Sequence, residues 1–215
     1  MLLQLYRSLL RWAFRRFYGE FAWTYDTVAA LVSRGYWRRW IEAALPLLCG
    51  DHVLELACGT GYLQRSMALH GIRAVGLDAS PYMLRHTRRK LARAGVVAPL
   101  VRSYTQALPF PANSFSDVVA TFPAEYILDP ATHGEVWRVL QPGGQFVIMD
   151  AAYFTRRTAY TTAVDAAYRA TGQVRRDDPR PDLLRQAGFD VCERWIDVDD
   201  SRVQAVVGMK MEDRR

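Results

Sequence analysis

The chain has 215 residues, of which 50% are hydrophobic and 23% are charged, and its formal net charge is +6. These values fit one globular domain with a substantial core and exclude a disordered or fibrous chain. Lys90 and Lys210 are the only lysines, so arginine carries nearly all of the positive charge. An arginine-rich surface suits anionic partners or simply reflects base composition, and without a lysine-rich stripe it does not favour nucleic acid.

The cysteine and histidine patterns bear on compartment and metal binding. The three cysteines have no metal-ligand spacing and cannot all pair within the chain, and the four histidines are scattered. This usage is typical of a reduced compartment, so we expect a cytoplasmic protein without a metal site.

Residues 1–20 have the pattern of a basic amphipathic helix. Arg7, Arg11 and Arg15 recur every fourth position and share one helical face, opposite leucine and aromatic side chains. No run in this segment is long enough and free enough of charge to span a bilayer. Two interpretations stay open: a helix packed on the domain with its arginines in water, or a helix lying on a membrane surface.

The rest of the chain is organised around residues 53–63, which read VLELACGTGYL. The apolar residues at the start predict a buried strand, and a helical pattern begins at Tyr62 after a turn at Gly59 and Gly61. Strand, glycine turn and helix together bring backbone amides against a ligand. A dinucleotide fingerprint would have a third glycine where Gln64 stands, which weakens the prediction of a nicotinamide cofactor.

Asp78 ends the next apolar run, residues 72–77, roughly twenty residues beyond the glycine turn. At this spacing a carboxylate at the tip of a strand can accept hydrogen bonds from both hydroxyls of a ribose. The alternative, that Asp78 caps the following helix, is weaker because Ser80 is better placed before Pro81.

Four motifs, in order, resemble those of class I S-adenosylmethionine-dependent methyltransferases, and especially the small-molecule family of ubiquinone and menaquinone biosynthesis. They are ELACGTG at 55–61, DASPYML at 78–84, SYTQALPFPANSFSDVV at 103–119 and LQPGG at 140–144. The first departs from the family pattern at Ala57, where a glycine is usual. The third has Tyr104 and Gln106 where acidic residues commonly contact the adenine.

The resemblance implies a Rossmann-like, doubly wound α/β fold with helices on both faces of a seven-stranded mixed sheet, in the order 3-2-1-4-5-7-6. The strand patterns at 189–198 and 202–209 predict the closing hairpin of that sheet. We expect a single domain overall, with an N-terminal helical lid over residues 1–48 and the methyltransferase domain over residues 49–215.

The resemblance also implies S-adenosylmethionine as cofactor and direct, in-line transfer of its methyl group to a small-molecule acceptor of quinone-like or lipidic character. Glu55 would attract the ammonium group, Asp78 would hold the ribose, and Met83 would pack on the adenine. Further cofactor contacts are expected from Tyr25, Ala57, Cys58, Gly59, Gly61, Ala79, Thr105, Gln106, Ala107, Thr121 and Phe122.

No general base is assigned by the sequence. Tyr126, Glu125 and His133 are candidates by location only, and the helical position of His133 favours a surface histidine. Two other functions stay open: a nicotinamide-dependent oxidoreductase, and a non-catalytic cofactor-binding module attached to a membrane surface. The closing hairpin and Gln64 favour a methyltransferase over the oxidoreductase.

Overall fold

The computed structural model describes residues 33, 35–155 and 178–211. Its helices are α1 (Trp37–Glu42), α2 (Tyr62–Leu69), α3 (Pro81–Arg93), α4 (Pro130–Val139) and α5 (Arg180–Gln186). Its strands are β1 (His52–Leu56), β2 (Arg73–Asp78), β3 (Leu100–Arg102), β4 (Phe115–Thr121), β5 (Leu140–Phe154), β6 (Asp190–Val198) and β7 (Ser201–Met209). Two short 3₁₀ turns span Leu45–Leu47 and Glu125–Leu128.

The strands form one seven-stranded sheet in the order β3-β2-β1-β4-β5-β7-β6, which confirms the predicted topology. The first five strands pair in parallel, and β7 lies antiparallel between β5 and β6. Parallel neighbours need long crossovers, whereas β6 and β7 join through a tight hairpin in which Asp199 adopts a φ of +51°. The antiparallel strand β7 therefore distinguishes this topology from the all-parallel sheet of dinucleotide-binding proteins.

Each face of the sheet is covered by its own apolar core, because successive side chains of a strand point to opposite faces. In β1, Leu54 belongs to the core under α4 and α5, and its neighbour Val53 belongs to the core under α1 and α2. Leu184 of α5 and Met67 of α2 are fully buried against these two faces. The core thus holds the sheet rigid and leaves the ends of its strands free to form a site.

A buried polar network closes the amino end of the sheet. Asp117 has no exposed surface, and its carboxylate accepts hydrogen bonds from Cys49 N at 3.0 Å, Gly50 N at 2.9 Å and Gln145 Nε2 at 2.7 Å. A buried charge needs such partners, so Asp117 fastens the segment before β1 to β4 and β5. This network lies at the amino ends of β1 and β4, where it stabilises the fold by joining these elements.

Element bounds differ at several points from those that the sequence pattern predicts. The apolar run over residues 96–102 predicts a third strand, but β3 begins at Leu100, because only three of its residues pair with β2 at this edge of the sheet. The pattern over residues 182–187 predicts a helix, and α5 begins earlier, at Arg180, where Asp178 Oδ1 accepts from Arg180 N at 3.0 Å. The sequence also predicts a helix near residues 155–171, a segment that lies almost wholly outside the described residues.

The Pro-Gly-Gly stretch at residues 142–144 has a structural role in the sheet. A Cβ on Gly144 would lie 2.7 Å from the Ser116 carbonyl oxygen, so only glycine lets β5 approach β4 here.

In the parts of the chain that the structure describes, no helix is both long and apolar enough to cross a membrane.

Candidate cofactor site

A cavity of about 320 Å³ lies at the carboxyl ends of β1, β2 and β4. Open parallel sheets bind their ligands at this edge, and the volume is within the range of small-molecule pockets. The residues that line it are Trp37, Ile41, Glu55, Ala57, Cys58, Gly59, Thr60, Tyr62, Leu63, Leu77, Asp78, Ala79, Ser80, Met83, Ser103, Tyr104, Thr105, Gln106, Thr121, Phe122, Pro123, Ala124 and Tyr126.

Most of the predicted cofactor-binding residues meet in this cavity. Gly61 and Ala107 are not among the residues that line it, and Tyr25 lies outside the described residues. Gly61 nevertheless shapes the site, since it ends the turn that forms one wall.

The turn after β1 uses the left-handed backbone conformation at three positions. The φ angles are +50° at Ala57, +50° at Gly59 and +76° at Gly61. An alanine in this region costs about 1–2 kcal/mol, so Ala57 keeps the conformation of the usual glycine at a price in stability. Cys58 N donates to the Leu77 carbonyl at 2.9 Å, which joins the turn to β2.

Replacing Gly61 with alanine should destabilise the protein by about 2–4 kcal/mol, because two costs add. The new Cβ would lie 2.5 Å from Thr87 Cγ2, and the φ of +76° strains any L-residue. Urea unfolding of Gly71→Ala is the matched control, since Gly71 has a φ of +75° and nothing within 4 Å of its would-be Cβ. Equal losses for the two variants would show that the contact with Thr87 has no effect.

Asp78, at the tip of β2, fixes the backbone on two sides of the cavity through hydrogen bonds. Its side chain is buried, Oδ2 accepts from Gly59 N at 3.0 Å, and Oδ1 accepts from Ser80 N at 2.8 Å. Each carboxylate oxygen keeps a second lone pair that can accept from a ribose hydroxyl. Burial raises the pKa of Asp78, and the two backbone hydrogen bonds oppose that rise. Ser80 Oγ accepts from Met83 N at 3.3 Å, so Ser80 caps α3 as predicted.

Glu55 forms a buried pair with Gln64 at the end of β1. The carboxylate is 2% exposed, and its Oε2 accepts from Gln64 Nε2 at 2.8 Å. Burial raises the pKa of Glu55 to about 8, against the effect of the hydrogen bond. The sequence did not identify Gln64 as a site residue. The available signal was a polar residue one position after Leu63, in the first turn of a helix that covers the sheet.

The wall of the cavity that is expected to hold the adenine contains the buried thioether of Met83 and polar groups that already form hydrogen bonds within the protein. Met83 is 2% exposed and lines the cavity. Gln106 Nε2 donates to Asp129 Oδ2 at 3.0 Å, and its Oε1 accepts from Thr105 Oγ1 at 3.3 Å. Tyr104 is 70% exposed, although it lies at the edge of the cavity with Ser103 and Thr105.

An aromatic wall, formed by Trp37, Phe122 and Tyr126, borders the cavity at the tip of β4. Phe122 has a φ of +48°, which is rare for a bulky residue and is found mainly where a site over-determines the backbone. Its amide donates to the Met149 carbonyl at 2.8 Å, and its ring centroid lies 4.8 Å from that of Trp37. The fold therefore holds a large apolar surface beside the polar end of the cavity.

Of the three residues considered as a general base, only Tyr126 lines the cavity. Glu125 is exposed at the start of a 3₁₀ turn. The expectation of a surface position for His133 is wrong: it is 1% exposed, and its Nε2 lies 2.7 Å from the Ile127 carbonyl oxygen. It lies on the buried side of α4, and burial lowers its pKa.

Comparison with known proteins identifies the family. A family model described as a methyltransferase domain matches residues 53–144. A ubiquinone/menaquinone biosynthesis C-methyltransferase from Xylella fastidiosa is 31% identical over 199 residues, with 78% of each chain covered. The chain belongs to the class I S-adenosylmethionine-dependent methyltransferase family.

Other methyltransferases match over a smaller share of their length. Demethylmenaquinone methyltransferases from Symbiobacterium thermophilum and Thermus thermophilus are 31% and 34% identical, over 64% and 62% of this chain. The chain spans 59% and 63% of their lengths. A solved S-adenosylmethionine-dependent methyltransferase from Thermotoga maritima superposes with a TM-score of 0.65 at 18% identity, covering 91% of this chain and 98% of that one. The superposition on the Thermotoga maritima structure shows that the two chains share the methyltransferase fold.

The residues of this member of the family fit the family's cofactor. Glu55 offers a carboxylate to an ammonium group, Asp78 offers acceptors to a ribose, and Met83 offers an apolar face to a base. Between them, the turn at Gly59 carries no side chain that would hold a ligand away from the backbone.

Proposed function

We propose that the protein transfers a methyl group from S-adenosylmethionine to a small, quinone-like acceptor by in-line displacement. The observation that carries the proposal is one cavity with the two buried carboxylates, Glu55 and Asp78, beside the aromatic wall. The carboxylates suit the two polar ends of the cofactor, and the aromatic wall suits a flat, apolar acceptor. The names of the Xylella, Symbiobacterium and Thermus relatives support a quinone-type acceptor.

The residues of the chain would act mainly by orientation. The cofactor, when bound, supplies a methyl group on a positively charged sulfur that is already a good leaving group. Glu55 and Asp78 fix the two ends of the cofactor, and Phe122 and Trp37 keep water from the space beside β4. Holding two reactants in line supplies about 7–11 kcal/mol of the barrier reduction without a covalent step by the protein.

The direct test is binding followed by turnover. Calorimetry should show micromolar or tighter binding of S-adenosylhomocysteine and no comparable binding of NAD. Radiolabelled methyl transfer should then be detected with a reduced 1,4-naphthoquinone that lacks a ring methyl group. Binding of NAD instead would support the oxidoreductase alternative, and cofactor binding without turnover on quinols or lysate metabolites would support the non-catalytic module.

Replacing Trp37 with alanine should raise the KM for the quinol acceptor about tenfold, since an aromatic contact contributes about 0.5–1.5 kcal/mol beyond its buried area. The affinity for S-adenosylhomocysteine should stay within about twofold, because Glu55, Asp78 and Met83, the residues proposed to hold the cofactor, lie on β1, β2 and α3 and not on α1, which carries Trp37. Trp195→Ala, at an exposed tryptophan on β6, is the control and should change neither value. An unchanged KM would remove Trp37 from the acceptor site.

Three earlier expectations stay predictions. They are the lid over residues 1–48 with the domain over 49–215, the contact of residues 1–20 with a membrane surface, and the cytoplasmic location. The amphipathic arginine pattern of residues 1–20 is what supports peripheral membrane contact.

A further inference from the structure

Gln64 places a complete primary amide inside the protein, next to the cavity wall. Its side chain has no exposed surface, although it lies in the first turn of α2, beside the apolar Leu63 and one turn from Met67. A buried amide is costly unless its donors and acceptor are paired. The position therefore calls for a specific polar partner on the sheet.

Only part of that amide is paired. Its Nε2 donates to Glu55 Oε2 at 2.8 Å, whereas its Oε1 is buried without a hydrogen-bond partner among the described residues. A carbonyl oxygen can only accept, so the missing partner is a donor. An ammonium group, or a water molecule held by one, has the required chemistry.

The surroundings of Glu55 show why its carboxylate needs support. It is desolvated, and among the described residues the titratable groups that interact with it are the acidic side chain of Asp78 and the thiol of Cys58. Neither neighbour carries a positive charge, so the amide of Gln64 is what stabilises the ionised form of Glu55. The bond also removes the rotational freedom of a long side chain before a ligand binds.

We propose that Gln64 is a positioning residue that holds the Glu55 carboxylate toward the ammonium group of the cofactor and thereby selects ligands with the amino-acid portion over the nucleoside thioether alone. The nucleoside portion would be read separately by Asp78 and Met83. This inference rests on the proposed function, because it takes the cofactor of that reaction as the ligand.

The test compares two ligands that share the nucleoside and the sulfur but differ in the amino-acid portion. Calorimetry would give the Kd of S-adenosylhomocysteine and of 5′-methylthioadenosine for the wild type and for Gln64→Leu. We expect the variant to bind S-adenosylhomocysteine about tenfold more weakly and 5′-methylthioadenosine within about twofold of the wild type. Ser66→Ala is the matched control, because Ser66 is a buried polar residue of the same helix that donates to Glu42 instead.

The pH dependence adds a readout that a merely structural role would not move. Since the amide donates to Glu55, its loss should shift the pH at which S-adenosylhomocysteine binding strengthens to higher values. Gln64→Met, which keeps the length of the side chain, should show the same split between ligands if Gln64→Leu fails to fold.

The outcomes separate this inference from the proposed function. Equal weakening of both ligands, or no change in either, would overturn the role of Gln64. If the wild type binds neither S-adenosylhomocysteine nor 5′-methylthioadenosine, the proposed function itself fails.

Discussion

Replacing Asp78 with alanine should weaken the binding of S-adenosylhomocysteine by about 10- to 100-fold. A hydrogen bond to a charged group contributes about 1.5–3 kcal/mol, and the ribose would lose its carboxylate acceptor. The turn would also lose a brace, because Asp78 accepts from the backbone amides of Gly59 and Ser80. Both effects lower affinity in the same direction.

Calorimetry with two ligands tests where Asp78 acts. Since Asp78 is assigned to the nucleoside portion, Asp78→Ala should weaken 5′-methylthioadenosine as much as S-adenosylhomocysteine, in contrast to Gln64→Leu. Asp51→Ala is the control: this aspartate forms a surface ion pair with Arg73, and both side chains are 72% exposed. Exposed pairs contribute little to stability, so both affinities should be unchanged. An unaltered affinity of Asp78→Ala would remove this residue from the site.

The affinity for the cofactor should rise by up to about tenfold per pH unit between pH 6 and 8. Burial raises the pKa of Glu55 to about 8, so its carboxyl group is mostly neutral at pH 6. The cationic ammonium group favours the carboxylate, and binding below pH 8 therefore releases a proton. The gain levels off above about pH 8, where Glu55 becomes mostly ionised in the free protein and an α-amino group loses its own proton.

Proton release gives a second measurement of the same effect. At pH 7, calorimetry in buffers of different ionisation enthalpy should report close to one proton released for each ligand bound. Glu55→Gln should bind more weakly, release no proton and lose the pH dependence, since glutamine does not titrate in this range. A flat profile for the wild type would exclude Glu55 from the ammonium site.

In the absence of ligand, the free energy of unfolding should also depend on the protonation of Glu55, but it should fall as the pH rises. Because the pKa of Glu55 in the folded state lies above its unfolded value of 4.5, the folded state holds the proton more tightly. The stabilisation is complete below pH 4.5 and is lost as the pH rises through about 8. Cofactor binding and intrinsic stability thus respond to pH in opposite directions at one residue.

Local features of this protein could be predicted from the sequence because they depend on neighbouring residues. The alternation of apolar residues before Gly59, the Ser80–Pro81 helix start and the two closing strand patterns each act over a few positions. Spacing along the chain also placed Asp78 at a strand tip beside the glycine turn. The order of the strands followed from these elements together with the family resemblance.

The pairing of distant side chains was decided only by the tertiary structure. Gln64 reaches Glu55 from a separate element, Asp117 binds backbone amides 67 and 68 residues away, and Phe122 meets Trp37 across the cavity edge. The burial of His133 likewise depends on which side of α4 faces the sheet. Such contacts follow no local period, since they form only when packing of the two apolar cores brings separate elements together.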